Sequence, residues 1–229
     1  MIIGKALIFD SGTIINLSMN GLLYILPALK KASNCRFFIT RAVKYETIDR
    51  PLNVLQFELG ALRIRQLLEQ EVLEMPDAIG ISESMLNKET RRLMSIANHS
   101  VQIKGRRDFV EIVSEAEISC LALSSELTKR KIENMIAIDE RTTRILSEDP
   151  LSLKKTMSRK LQQDVEILED NFKDFAKFRF IRSSELVYVA YKKDLLNLEG
   201  DKALEAALYA TKFKGSSISF EEINVLKKL

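Results

Sequence analysis

Three short apolar runs set the frame of this 229-residue chain. They are Ala6-Leu7-Ile8-Phe9, Phe37-Phe38-Ile39-Thr40 and Met135-Ile136-Ala137-Ile138. Each is too short to lay an apolar stripe along a helix, and each is followed by residues with helical spacing. Runs of that length, apolar on both alternating faces, read as strands of a parallel sheet covered by helices on each side. Alternation of strand and helix therefore predicts an α/β chain with a short parallel sheet and three layers, α/β/α. In such a sheet, ligands bind just beyond the carboxyl ends of the strands. The first run ends at Asp10, and Ser11-Gly12 turns the chain into an apolar helical segment. Asp10 thus belongs at the rim of the sheet, with a helix N-terminus beside it.

The intervening pattern is mostly helical. Residues 13–32 carry Ile14, Leu17, Leu22, Leu26 and Leu29 at helical spacing, and predict one broken helix or two. Ala42 to Asp49 opens a helix that Pro51 interrupts. Residues 54–72 predict a helix with Leu55, Leu59, Leu62, Leu67 and Leu68 on one face. Ser82 caps a further helix to about residue 98, and residues 104–113 read as loop or short strand. Ser114-Glu115-Ala116-Glu117 is a helix opening with a capping serine and acids at the positive end of the dipole. From residue 151 to about 175 the pattern predicts a long charged helix. Leu161, Val165, Leu168, Phe172 and Phe175 alternate there at spacings of four and three. A last strand at 178–181 and helices near 183–194, 202–213 and 219–228 complete the chain. The expected organisation is a core at 1–148, a long helical insertion at 149–177, and the last strand and C-terminal helices of the same domain at 178–229.

Composition narrows the chemistry. Histidine occurs once, as His99, and cysteine twice, as Cys35 and Cys120, both inside apolar stretches. Zinc sites of the His/Cys type and a Ser-His-Asp triad are thereby nearly excluded, and buried thiols fit a reducing compartment. No run approaches the length of a membrane span, and the first residues lack the pattern of a signal peptide, so a cytoplasmic protein without membrane contact is expected. The net charge of +3 permits nucleic acid as a partner without requiring it.

What remains is carboxylates. Asp10 and Asp139 each end a strand, Glu46 follows the second strand by one helical turn, and Glu117 lies in the first turn of its helix. A parallel sheet can bring all four to one edge. Four carboxylates in a cleft raise one another's pKa and call for cations, and hard oxygen donors suit Mg²⁺ or Mn²⁺. Each acid also has a plain structural reading. Asp10 and Asp139 are good helix caps, and Glu115 and Glu117 match a helix dipole. Phe9-Asp10-Ser11-Gly12-Thr13-Ile14 also shares part of the D-x-D-G-T signature of haloacid-dehalogenase-type nucleophiles, although Gly12 stands where the second aspartate belongs.

At these residues the sequence resembles the PIN-domain family of metal-dependent nucleases. Phe9-Asp10-Ser11-Gly12-Thr13-Ile14-Ile15-Asn16-Leu17 is similar to its opening motif. Ile39-Thr40-Arg41-Ala42-Val43-Lys44-Tyr45-Glu46 is similar to the second motif, a strand and then a helix carrying Glu. Val113-Ser114-Glu115-Ala116-Glu117 resembles the third, and Ala137-Ile138-Asp139-Glu140-Arg141 the fourth. The tail from Ser183 resembles the C-terminal end of archaeal and bacterial members of toxin type. The zinc module of the rRNA-processing members has no counterpart, since two cysteines cannot build it. The resemblance implies an endoribonuclease dependent on Mg²⁺ or Mn²⁺, with Asp10, Glu46, Glu117 and Asp139 as catalytic metal ligands. Glu115 remains an alternative to Glu117. RNA is the implied substrate, with Thr13, Arg106 and Arg107 as RNA contacts, and the implied partner is a second copy or an antitoxin-like protein. The alternative is a PIN-like scaffold that binds RNA or protein without cutting.

Overall fold

The computed structural model describes residues 4–200 and 202–229, with side chains throughout except at 169–171. β1 (Lys5–Phe9) enters the core, and α1 (Ser11–Met19) and α2 (Ile25–Ser33) carry the chain to β2 (Arg36–Phe38). α3 (Arg41–Lys44) continues as a π-helical turn, Tyr45–Asp49, and a 3₁₀ turn begins at Pro51. α4 (Leu55–Glu69), α5 (Glu83–Asn98), β3 (Val101–Ile103) and α6 (Glu115–Lys129) lead to β4 (Glu133–Ala137). Then come α7 (Arg141–Glu148), α8 (Leu153–Leu161), β5 (Val165–Ile167) and β6 (Phe180–Ile181). α9 (Ser183–Lys192), α10 (Ala203–Phe213) and α11 (Phe220–Leu226) close the chain.

The main sheet has four parallel strands in the order β2-β1-β4-β6. Its centre is apolar because β1 lies between two partners: Ile8 pairs with Phe38 on one side and with Ile136 on the other. Ile8, Phe9, Phe38 and Ile136 are fully buried. The chain moves one way across the sheet from β1 to β2, then back past β1 to β4. Right-handed crossovers in opposite directions put α1 and α2 on one face and α6 on the other, giving the three layers. α6 packs against β1 and β4 with α5 outside it, while α1 packs against α9. Ala116, Ser119, Cys120, Ala122, Ser124 and Ser125 are all buried, so α6 presents small residues almost all round and can lie close to the strands. The thiol of Cys120 donates to the carbonyl of Phe9, and both cysteines are free.

Two expectations are corrected by the packing. The long helix at 151–175 is not formed. α8 ends at Leu161 with Gln162 in the left-handed region (φ 53°), and Val165–Ile167 becomes a strand antiparallel to Val101–Ile103. Val165, Phe172 and Phe175 are buried in the main core. The segment satisfies helical spacing, but hydrogen bonding to β3 and burial of Val165 outweigh it. The leucines of α4 are the second correction. Ala61, Ile64 and Leu67 face inward, whereas Leu55, Leu59 and Leu62 are exposed, Leu55 at 91%. Of the stretch left open at 104–113, Phe109 makes an isolated bridge to Gln102 and the rest is loop. Among the described residues, no helix is long and apolar enough to cross a membrane.

Candidate active site

Because the strands are parallel, Asp10, Thr40, Asp139-Glu140 and Arg182 all emerge at one edge of the sheet, each just past a strand. Asp10 caps α1, its Oδ2 accepting from the N–H of Gly12 at 3.0 Å. A side chain at Gly12 would crowd the site, since a Cβ would lie 3.2 Å from that same oxygen. The other oxygen, Oδ1, is buried and has no hydrogen-bond partner. One turn along α1, the Thr13 hydroxyl is likewise buried without a partner. Burial and then the charge of Glu117 push the Asp10 carboxyl up from 3.8 to about 7. Glu46 adds to the rise, and the N–H groups of Gly12 and Ser11 oppose it.

Glu46 reaches this place from the π-helical turn. Ser11 Oγ donates to its Oε2 at 2.6 Å, tying the second strand's helix to the cap of the first. π-turns are rare and cluster at functional sites, because the extra residue re-aims a side chain. Glu117 is set by a capping box with Ser114 and accepts from the buried Thr143 hydroxyl at 2.6 Å. Burial raises its pKa first, and the Glu140 charge raises it further against the Thr143 bond. Of the two acids that open α6, Glu117 is the one whose charge acts on Asp10. Glu115 is exposed, and borders an open cavity of about 460 Å³ that Glu46 also borders.

The structure places Asp139 in another role. Its Oδ1 accepts from the N–H of Ser183 at 2.9 Å, and its Oδ2 from Asn16 Nδ2 at 3.2 Å. Asn16 in turn donates to the carbonyl of Thr211 at 2.8 Å. Both oxygens of this buried carboxylate are occupied in fastening α9, α1 and α10 to the end of β4. In this arrangement Asp139 serves as a structural acid, and each oxygen, accepting one hydrogen bond, keeps a further lone pair. Its neighbour Glu140 turns toward Glu117 instead, capping α7 through the N–H groups of Thr142 and Thr143 and lying 3.4 Å from Lys160. Glu140 is the residue missed by sequence reasoning. Its only signal was adjacency to Asp139. Arg106 and Arg107 are exposed on the loop after β3, and neither borders the cavities next to Glu46.

Asp10, Glu46, Glu117 and Glu140 are thus linked in one electrostatic group, each also held by a hydroxyl or main-chain donor. The donor set is all oxygen, and Asp10 Oδ1 is a buried acceptor in want of a partner. Both features fit a hard divalent cation such as Mg²⁺ or Mn²⁺. As the side chains stand, no three Asp, Glu, His or Cys among the described residues are grouped closely enough to hold one ion. No protein-family model, curated protein or solved structure matches this chain.

Proposed function

We propose that this chain is a PIN-like endoribonuclease dependent on Mg²⁺ or Mn²⁺. The observation that carries the reading is Asp10: a carboxylate buried at the end of the central strand, with one oxygen unpartnered, in the field of Glu117 and Glu46. Burying such a group without a counter-ion is costly, and proteins keep arrangements of this kind chiefly at functional sites. Asp10, Glu46, Glu117 and Glu140 would hold the cation. When bound, the cation supplies an acidified water and offsets charge on the attacked phosphodiester.

The chain's own residues do the positioning. The N–H of Gly12 fixes Asp10 through its Oδ2, which leaves the buried Oδ1 without a partner. Ser11 and Thr143 each hold one carboxylate by a hydrogen bond, on Glu46 and Glu117, and closing the acids on one ion requires these side chains to shift. Arg50 and Tyr45 border the 460 Å³ cavity beside Glu46 and supply a cation and an aromatic face for a nucleic-acid strand. On the other side of Glu46, an apolar cavity of about 520 Å³ is lined by Ile15, Met19, Val54, Phe57 and Leu59. That surface supports a protein partner, a second copy or an antitoxin-like chain, close to the acids.

The spread of the carboxylates favours a second reading, a PIN-like scaffold that binds without cutting. One experiment separates the two. A fluorescent single-stranded RNA is incubated with wild type and Asp10→Asn in EDTA, Mg²⁺ or Mn²⁺. Metal-dependent cutting lost in the variant supports the nuclease. Absence of cutting, together with no rise in thermal stability in millimolar Mn²⁺, supports the scaffold, because a bound cation must stabilise the native state by mass action.

A further inference from the structure

Beyond the acids, toward β6, the same sheet edge opens a third cavity of about 560 Å³. Arg141, Arg144, Arg182 and Lys212 border it, with the serines of the 216–219 loop. Three carboxylates border it as well, Glu148, Asp149 and Glu222, so the cations are in excess. Two of the cations are already engaged. Arg144 pairs with Glu148 at 2.8 Å, and Arg182 is held between Glu185 and Glu222, each at 2.8 Å. Arg141 and Lys212 have no carboxylate partner among the described residues, a finding that the ion pairs of the chain bear out.

Lys212 is held in place, whereas Arg141 is exposed at the start of its helix. Lys212 donates to the carbonyl of Ile218, and its ammonium lies 4.4 Å from the centre of the Phe220 ring. Arg141 opens α7 directly after Glu140, the acid that acts on Glu117. Beneath them Arg182 is 6% exposed, and its Nε–H has no acceptor. The Ser217 hydroxyl is oriented by Arg144 at 3.1 Å. Guanidinium, ammonium and hydroxyl donors around one opening match the oxygens of a phosphate. This group adjoins the acid cluster along the chain, through the consecutive residues Glu140 and Arg141.

We propose that this cavity binds a backbone phosphate of the RNA strand that crosses the acids at the same sheet edge. The proposal rests on the ribonuclease reading for the identity of the strand. Lys212 and Arg141 hold that phosphate and fix the register of the strand across the acids, while Arg182 and Arg144 form the rigid floor.

The test is fluorescence anisotropy in EDTA, which needs no cleavage. A 3′-labelled 12-nucleotide single-stranded RNA is titrated with wild type, Lys212→Gln, Arg141→Gln and, as a control, Lys155→Gln on the exposed face of α8. Lys212→Gln and Arg141→Gln are each expected to weaken binding about three- to tenfold at 100 mM salt. Each is also expected to flatten the slope of log affinity against log salt by about 0.7, the value for one lost single-strand phosphate contact. Lys155→Gln should match wild type. Unchanged affinity and slope in both cavity variants would overturn the site, as would failure of the wild type to bind RNA. The titration is repeated with and without a 5′ phosphate on the RNA. Equal loss on both oligonucleotides supports an internal phosphate, and loss confined to the phosphorylated one refutes it in favour of a terminal phosphate. Wild type that shows the Lys212 dependence yet cuts nothing in Mn²⁺ would retire the nuclease reading while leaving this binding site intact.

Discussion

Replacing Asp10 by Asn should stabilise the metal-free protein, and by an amount that depends on pH. The carboxyl rises from 3.8 to about 7 on folding, chiefly through burial and then through Glu117. That rise penalises the ionised form by about 4 kcal/mol, at about 1.4 kcal/mol for each pKa unit. Below pH 3.8 the group is protonated in both states and costs nothing. Between about pH 4 and 7 the unfolded chain releases the proton while the folded chain keeps it. Stability from this group therefore falls as pH rises, and stays low above 7. Asn keeps the cap, since it too accepts from Gly12 N–H, and it does not titrate. The stability gap between Asp10→Asn and wild type should accordingly widen by about 2–4 kcal/mol from pH 4 to pH 8, with the neighbouring acids relaxing to absorb the remainder. For a chain of this length that corresponds to about 5–15 °C in Tm. The assay is urea and thermal unfolding of both proteins in EDTA at pH 4, 6 and 8. A gap that does not change with pH, or a variant less stable than wild type at pH 8, would refute the placement of Asp10 as an ionisable group buried without a partner. Saturating Mn²⁺ should narrow the gap at pH 8, because only the wild type gains from the cation.

Two further outcomes separate neighbours that look alike in the sequence. Asp139→Asn should lower stability by about 1–3 kcal/mol, because an amide presents only one acceptor to Ser183 N–H and Asn16. Glu140→Gln should leave stability within about 1 kcal/mol of wild type while reducing any metal-dependent cleavage; chemical denaturation beside the RNA assay reads both, and the reverse pattern would restore Asp139 as the ligand. In the late segment, Phe175→Ala should cost about 3–5 kcal/mol, because the ring is fully buried in the main core. Leu151→Ala, at a side chain 82% exposed, should cost under about 0.5 kcal/mol. Equal effects in urea unfolding would show that 149–177 is not part of the domain's core.

The sequence by itself determined whatever depends on neighbours along the chain. β1, β2 and β4 are legible because a short apolar run between turn and cap residues has no other stable use. The rim position of Asp10 follows, since it ends the first run. The capping box at Ser114 and Glu117, and the cap at Ser82, are legible for the same local reason. Tertiary structure decided wherever two local readings were equally good. Asp139 and Glu140 are adjacent acids, and which one faces the cluster is settled by Asn16, 123 positions away, and by the N–H of Ser183, 44 positions away. The spacing of Leu161, Val165, Phe172 and Phe175 satisfies a helix, yet pairing with Val101–Ile103 makes part of it a strand. α4 was evident as a helix, but of its leucine stripe only Leu67 is buried, beside Ala61 and Ile64, because helix propensity does not say where the neighbours will stand. The cavity beside Arg182 and Lys212 had no signature at all. Its cations come from three separate segments, and only the parallel order of β4 and β6 brings them to the edge where Asp10 waits.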